Sequence, residues 1–283
     1  MVIRLRLGHS PDPDDAFMFY GLACGAVADP GVEFEHLLRD IQTLNEWALE
    51  GRLEVTALSL HAYAHVADRY ALLPHGASVG RRYGPVVVAR PGLPPDALWR
   101  RGTTVAVPGE LTTATLVLRL AVGDSARRVV VPFDRIFAEV KAGRADAGLV
   151  IHEGQLTYGR EGLVKLLDLG EWWATETGGL PLPLGVNAIR RDLPDDLRRR
   201  VSALLRASID YALAHRSEAV AHALAYARGL EAPLADRFVG MYVNADTLGY
   251  GPDLREAIER LLGRAWRAGF LPRPVAVDPV DAP

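Results

Sequence analysis

The chain opens on strict alternation. Ile3, Leu5 and Leu7 are separated by Arg4 and Arg6, which predicts a half-buried strand over IRLRLG. Short apolar runs of the same kind recur at VEFEHLL, LEVTALS, GPVVVAR, TTVAVPG, ARRVVVPF and ADAGLVIHE. Segments with helical spacing lie between them. AFMFYGLACG is predicted as a helix with Asp14 or Asp15 as its N-cap. In IQTLNEWALEG, Leu44, Trp47 and Ala48 share a face and Gly51 ends the helix. Further helices are predicted at 60–70, LTTATLVLRLAVG and FDRIFAEVKAG. Strand and helix in alternation imply an α/β fold with a parallel or mixed sheet flanked by helices.

Two Pro/Gly-rich stretches, RPGLPPDALWRRG and WWATETGGLPLPLG, interrupt this pattern. They bracket an insert, so the predicted organisation is a large discontinuous domain, 1–90 plus 185–283, around a small inserted α/β domain, 91–184. Two strand crossings then make a hinged cleft. Ligands of such folds sit outside the carboxyl ends of strands. Long helices are predicted at 195–215, 217–228, 232–242 and 252–268; they either pack a homodimer or cover the sheet. The tail LPRPVAVDPVDAP has too much proline for a helix and wraps or frays.

Composition narrows the function classes. Of 283 residues, 49% are apolar and 24% charged, enough for one large or two ordinary cores. A net charge of −3 points away from nucleic acid and from anionic membrane surfaces. Arginine far outnumbers lysine, which is confined to Lys141 and Lys165, so no single arginine is read as an anion clamp. The lone cysteine, Cys24, has no disulfide partner and reads as a small buried hydrophobe. No Cys/His spacing suits zinc, so no metal is expected. MVIRLRLG lacks the continuous apolar run of a signal peptide, and no segment approaches the roughly 18 apolar residues of a membrane span. A cytoplasmic protein without a membrane span is expected.

Candidate chemistry gathers at four predicted strand ends. The loop in GHSPDPDDAFMFYG turns from strand to helix, a geometry that suits an anion, yet it carries Asp12, Asp14 and Asp15. The acids either line the ligand site or serve elsewhere: Asp14 or Asp15 as a cap, Asp12 in solvent. In LEVTALSLHAY, Ser59 either donates to a bound carboxylate or caps the next helix. His61 and His65 lie four apart, but no Glu follows His61 and no third ligand is near, which argues against zinc. In VAVPGELTTATLVL, Thr112 and Thr113 offer two hydroxyls at a helix start, a carboxylate cradle without the phosphate-loop lysine. Capping accounts for one threonine more readily than for both. In ADAGLVIHEGQLTY the apolar strand 147–151 ends at His152–Glu153. Imidazole titrates near neutral pH, which makes His152 a general-base candidate; the bland reading of a lone histidine is structural. Glu153 either orients it or is a surface acid. GxSxG is absent.

These motifs together resemble the 1,4-dihydroxy-6-naphthoate synthase family of the futalosine route to menaquinone. The resemblance covers nearly the whole chain. It is carried by SPDPDDAFMFY, DIQTLNEWALEGRLEVTALS, the PG…TTA segment, DRIFAEVKAGRADAGLVIHEGQLTY, GEWWATETGGLPLPLG and YVNADTL. It implies a two-domain periplasmic-binding-protein-like (type II) fold and a cofactor-free carbon–carbon lyase. The implied substrate is cyclic de-hypoxanthine futalosine, a small-molecule carboxylate. It further implies His152 as base, with Ala57, Leu58, Ser59, Thr112 and Thr113 binding substrate. The chain departs from the family pattern, close to PCPNDTF, in its opening loop: Asp12, Asp14 and Ala16 stand where that pattern has Cys, Asn and Thr. The added negative charge should weaken binding of an anionic substrate unless a positive group compensates, or should mark a changed substrate. The rivals are a chorismate dehydratase-like paralogue, against which the IHE context speaks, and a non-catalytic carboxylate-binding protein.

Overall fold

The computed structural model describes residues 2–226 and 230–280. Alternation sets the first strand, β1 (Ile3–His9), which buries Leu5 and Leu7. The expected single helix after it is two short ones, α1 (Pro13–Met18) and α2 (Tyr20–Ala23), broken at Phe19. The N-cap of α1 is Asp12, not Asp14 or Asp15. Pro13 starts the helix at no cost because its missing N–H would be unpaired there anyway. Asp14 and Asp15 are turned inward and buried. Cys24 is exposed, not buried, because it caps α2 just where Gly25, at φ +75°, turns the chain outward.

β2 (Val32–Leu38) follows, then α3 (Ile41–Glu50). Asp40 caps α3 by accepting from the N–H groups of Gln42 and Thr43, and Gly51 ends it at φ +70°. β3 (Val55–Ser59) runs directly into α4 (Leu60–Val66). α4 stops short of the expected 60–70 because Tyr70 opens β4 (Tyr70–Leu72), which leads to β5 (Ser78–Gly80). β6 (Val86–Ala89), β7 (Thr104–Val107), α5 (Thr113–Val122), β8 (Arg127–Val130), α6 (Ile136–Lys141) and β9 (Ala147–Val150) follow the predicted order. Then come α7 (Gly154–Thr157), β10 (Val164–Asp168), α8 (Leu169–Thr177) and β11 (Leu182–Arg190).

The segment read as a Pro/Gly break therefore holds a helix and the longest strand. Pro183 and Gly185 survive in β11 because its register against β5 shifts between them. The C-terminal helices are α9 (Asp195–Ala214), α10 (Arg216–Leu224), α11 (Ala232–Tyr242), α12 (Ala245–Leu248) and α13 (Pro252–Arg267). Arg228, the expected end of α10, lies outside the described residues, as does the tail beyond 280.

The strands form two mixed sheets. The first runs β2-β1-β3-β11-β4, with β5 also on β11. β1 is parallel to β2 and β3, whereas β11 is antiparallel to β3, β4 and β5. The second runs β10-β6-β9-β7-β8. Because β11 is antiparallel to β3, its beginning lies at the carboxyl end of β3, with Gly185 opposite Ser59. α13 buries Leu254, Ile258, Leu261 and Leu262 within the chain; each contributes roughly 1.5–3 kcal/mol by leaving water. α9 holds α1 and α2 through Ser208, which donates to the Met18 carbonyl (2.8 Å). The C-terminal helices thus spend their apolar faces on the core. The tail wraps: the Val280 N–H donates to the Leu72 carbonyl (2.8 Å).

Candidate functional site

The carboxyl ends of β1, β3 and β9, the start of α5 and the start of β11 converge on one cavity of about 700 Å³ that is open to solvent. Ala57, Leu58, Ser59, Thr112, Thr113 and His152 line it, with Asp12, Asp14 and Asp15, whereas Glu153, His61 and His65 do not. No lysine or arginine lines it among the described residues.

Ser59 occupies the N-cap position of α4 but makes no capping bond with its side chain. Instead its hydroxyl accepts from Asn45 Nδ2 (3.1 Å) and its N–H donates to Asn45 Oδ1 (2.8 Å). Asn45 is wholly buried and fixes Ser59 toward the cavity. Thr112 does cap. Its Oγ1 accepts from the Thr115 N–H (3.2 Å) and donates to the Gly109 carbonyl (2.9 Å). Thr113 Oγ1 donates to the Leu184 carbonyl (2.6 Å) and accepts from the His61 N–H (3.2 Å), tying α5 to β11 and α4. Both threonine hydroxyls therefore spend their protons on carbonyls. What this wall offers an anion is the first-turn N–H groups and positive end of α5, beside Ser59. His61 and His65 pack ring to ring at 5.3 Å; burial first, and then His65, push the His61 imidazole down to about 4.

His152 follows β9 in the left-handed region, at φ +54°. For a non-glycine residue this costs on the order of 1–2 kcal/mol and is held only by surrounding contacts. Its Nδ1 lies 3.1 Å from Asp12 Oδ2, and its ring meets Phe133 edge-on at 5.0 Å. Its Nε2 is buried with no hydrogen-bond partner among the described residues. Gln155, with its amide turned to satisfy both ends, accepts from the His152 N–H (3.3 Å) and donates to the Gly84 carbonyl (2.6 Å) and to Tyr242 Oη (2.7 Å).

Asp12 is 1% exposed, so the reading of a solvated acid is corrected. Its Oδ2 also accepts from the Ser10 hydroxyl. Asp14 accepts from the Ser78 hydroxyl (3.2 Å), and Asp15 from the Ser10 N–H (2.7 Å). Burial, and then the charge of Asp12, push the Asp14 carboxyl up to about 6. Burial and the charge of Asp14 push Asp15 well up. The imidazole of His152 faces these acids, with Nδ1 on Asp12.

A family model described as menaquinone biosynthesis matches residues 5–267. The chain belongs to this menaquinone-biosynthesis family. A 1,4-dihydroxy-6-naphthoate synthase of Thermus thermophilus is 47% identical over 276 residues, covering 96% of this chain and 99% of that protein. A protein of the same name from Streptomyces coelicolor is 39% identical and covers 95% of each chain. The crystal structure of protein AF1704 from Archaeoglobus fulgidus superposes with a TM-score of 0.89 at 45% identity, covering 94% of this chain and 98% of its own. The alkanesulfonate-binding protein SsuA from Xanthomonas axonopodis pv. citri, at 14% identity and a TM-score of 0.73, covers 97% of this chain and 96% of its own. That likeness shows the fold: this family member is periplasmic-binding-protein-like.

Sequence reasoning missed four residues that shape the family site here: Asn45, Ser78, Gln155 and Tyr242. Three of them sit inside stretches that carry the family resemblance, DIQTLNEWALEG, IHEGQLTY and YVNADTL, and that was the available signal. Ser78 had a local signal too, as the central serine of GASVG at 76–80, and in the fold it opens β5 and donates to Asp14.

Proposed function

We propose that this protein is an enzyme of menaquinone biosynthesis with the activity for which its curated relatives are named, the synthesis of 1,4-dihydroxy-6-naphthoate. The finer reading is a carbon–carbon lyase acting on cyclic de-hypoxanthine futalosine, with His152 as general base and no cofactor. One observation carries it: His152, whose Nε2 has no hydrogen-bond partner among the described residues, lines the same cavity as the start of α5. A substrate carboxylate docks at the first turn of α5 and at Ser59, while Ala57 and Leu58 line the ring. Nε2 removes a substrate proton. A sugar carbon–carbon bond then breaks in a retro-aldol-like step, and aromatisation drives release. A cytoplasmic location goes with this biosynthetic role.

The two sheets support reading the chain as a discontinuous large domain around an inserted one, with β6 placing the outward crossing just before residue 86. Closing one on the other excludes water and fixes the reacting geometry. The test is incubation of purified protein with cyclic de-hypoxanthine futalosine, beside His152→Ala, with detection of 1,4-dihydroxy-6-naphthoate. Product from wild type and none from the variant is the expected result. Binding without turnover by wild type would replace this reading with that of a binding protein or a paralogue with a changed substrate.

A further inference from the structure

We propose that Asp12 is a positioning residue for His152: its carboxylate, on the loop after β1 in the first sheet, accepts from Nδ1–H of an imidazole carried by the second sheet, and so leaves Nε2 as the basic nitrogen facing the cavity. The inference deepens the reading above and rests on it for the role of His152.

The geometry is specific. Asp12 Oδ2 lies 3.1 Å from Nδ1, and the same oxygen accepts from the Ser10 hydroxyl, so the carboxylate is itself held. Asp12 is 1% exposed, and the His152 side chain is 16% exposed. A hydrogen bond to one ring nitrogen decides which tautomer the neutral ring adopts. A carboxylate at that nitrogen also stabilises the imidazolium formed when the other nitrogen takes a proton. Such a contact is strong where water is excluded.

The contact spans the two sheets, 140 residues apart in sequence, as the printed numbers 12 and 152 give. The base is therefore correctly set only when both walls are together.

The other groups around the pair do not replace Asp12 in this role. Asp14 and Asp15 face it from α1. Asp14 is engaged by Ser78 and Asp15 by the Ser10 N–H. Glu153 is adjacent in the chain. Tyr242, from α11, is linked to the His152 N–H through Gln155. Phe133 offers a ring edge and no charge.

The test uses full-length protein labelled with ¹⁵N-histidine, as wild type, Asp12→Asn and Asp12→Cys, with melting temperature checked for each. Nitrogen chemical shifts report the His152 tautomer in the free protein. Turnover reports kcat and KM. The expected result is one Nδ1–H tautomer in wild type and a mixture in Asp12→Cys. kcat should fall about tenfold or more while KM changes little.

Should Asp12→Cys fail to fold, the split between kcat and KM in Asp12→Asn decides. Folded variants that keep the wild-type tautomer and the wild-type kcat overturn the proposal. Wild type that forms no product, yet loses its fixed tautomer in Asp12→Cys, overturns the functional reading and leaves the positioning role standing.

Discussion

The wall built by β1 and α1 presents three buried aspartates, whereas the wall built around α5 presents two threonines whose hydroxyl protons are already spent. Both walls begin as a strand running into a helix start, so local sequence treats them as equals. Their surroundings do not. At α5 the polar side chains serve the fold, and the helix start is left to meet an anion. At α1, Pro13 occupies the first turn and the acids crowd together with their side chains buried, where charge is costly. On the proposed reading, one wall holds a carboxylate and the other manages protons around His152.

The comparison can be broken most sharply at the histidine. His152→Ala should lower kcat roughly 10²–10⁴-fold while ligand affinity is largely kept, checked by single-turnover kinetics beside calorimetric binding. Equal loss of binding would move His152 to the holding side.

Asp14→Asn is next. The Asp14 carboxyl lies at about 6 in the folded chain against an ordinary 3.8. The folded state therefore binds this proton more tightly than the unfolded chain does. Asp14 costs stability progressively as pH rises from about 4 to 6, and fully above that. The variant should gain on the order of 3 kcal/mol at pH 8 and little at pH 4, read from urea unfolding at both values. A gain equal at both pH values would show that the acid is not strained.

Thr113→Val tests the opposite wall. It strands the buried His61 N–H and the Leu184 carbonyl and should cost about 1–3 kcal/mol of stability, with a rise in KM rather than a fall in kcat. Ser59→Ala should have the smallest effect, a KM increase of a few fold with stability within about 1 kcal/mol, because Asn45 loses only one of its two bonds to Ser59. A large kcat defect in Ser59→Ala would shift proton chemistry toward that wall.

The positions of Ser59, Thr112, Thr113 and His152 at strand or helix ends were legible because short apolar runs and turn residues bound each strand locally. β11 was not, since Pro183 and Gly185 imitate a loop and only the shifted pairing with β5 accommodates them. The fate of the hydroxyls was not legible either. Ser59 and Thr112 read alike as caps, yet Asn45, from a helix that precedes β3, captures Ser59.

The sequence by itself determined the order of strands and helices, the strand-end location of His152, and the acids of the opening loop. These depend on hydrophobic period and on residues a few positions apart. The tertiary structure decided that Asp12 meets His152, that Thr113 bridges to β11, and that Asp14 is pushed toward its neutral form. Each of these depends on distant segments brought together and on the water they exclude, and neither quantity is written in any local stretch of the chain.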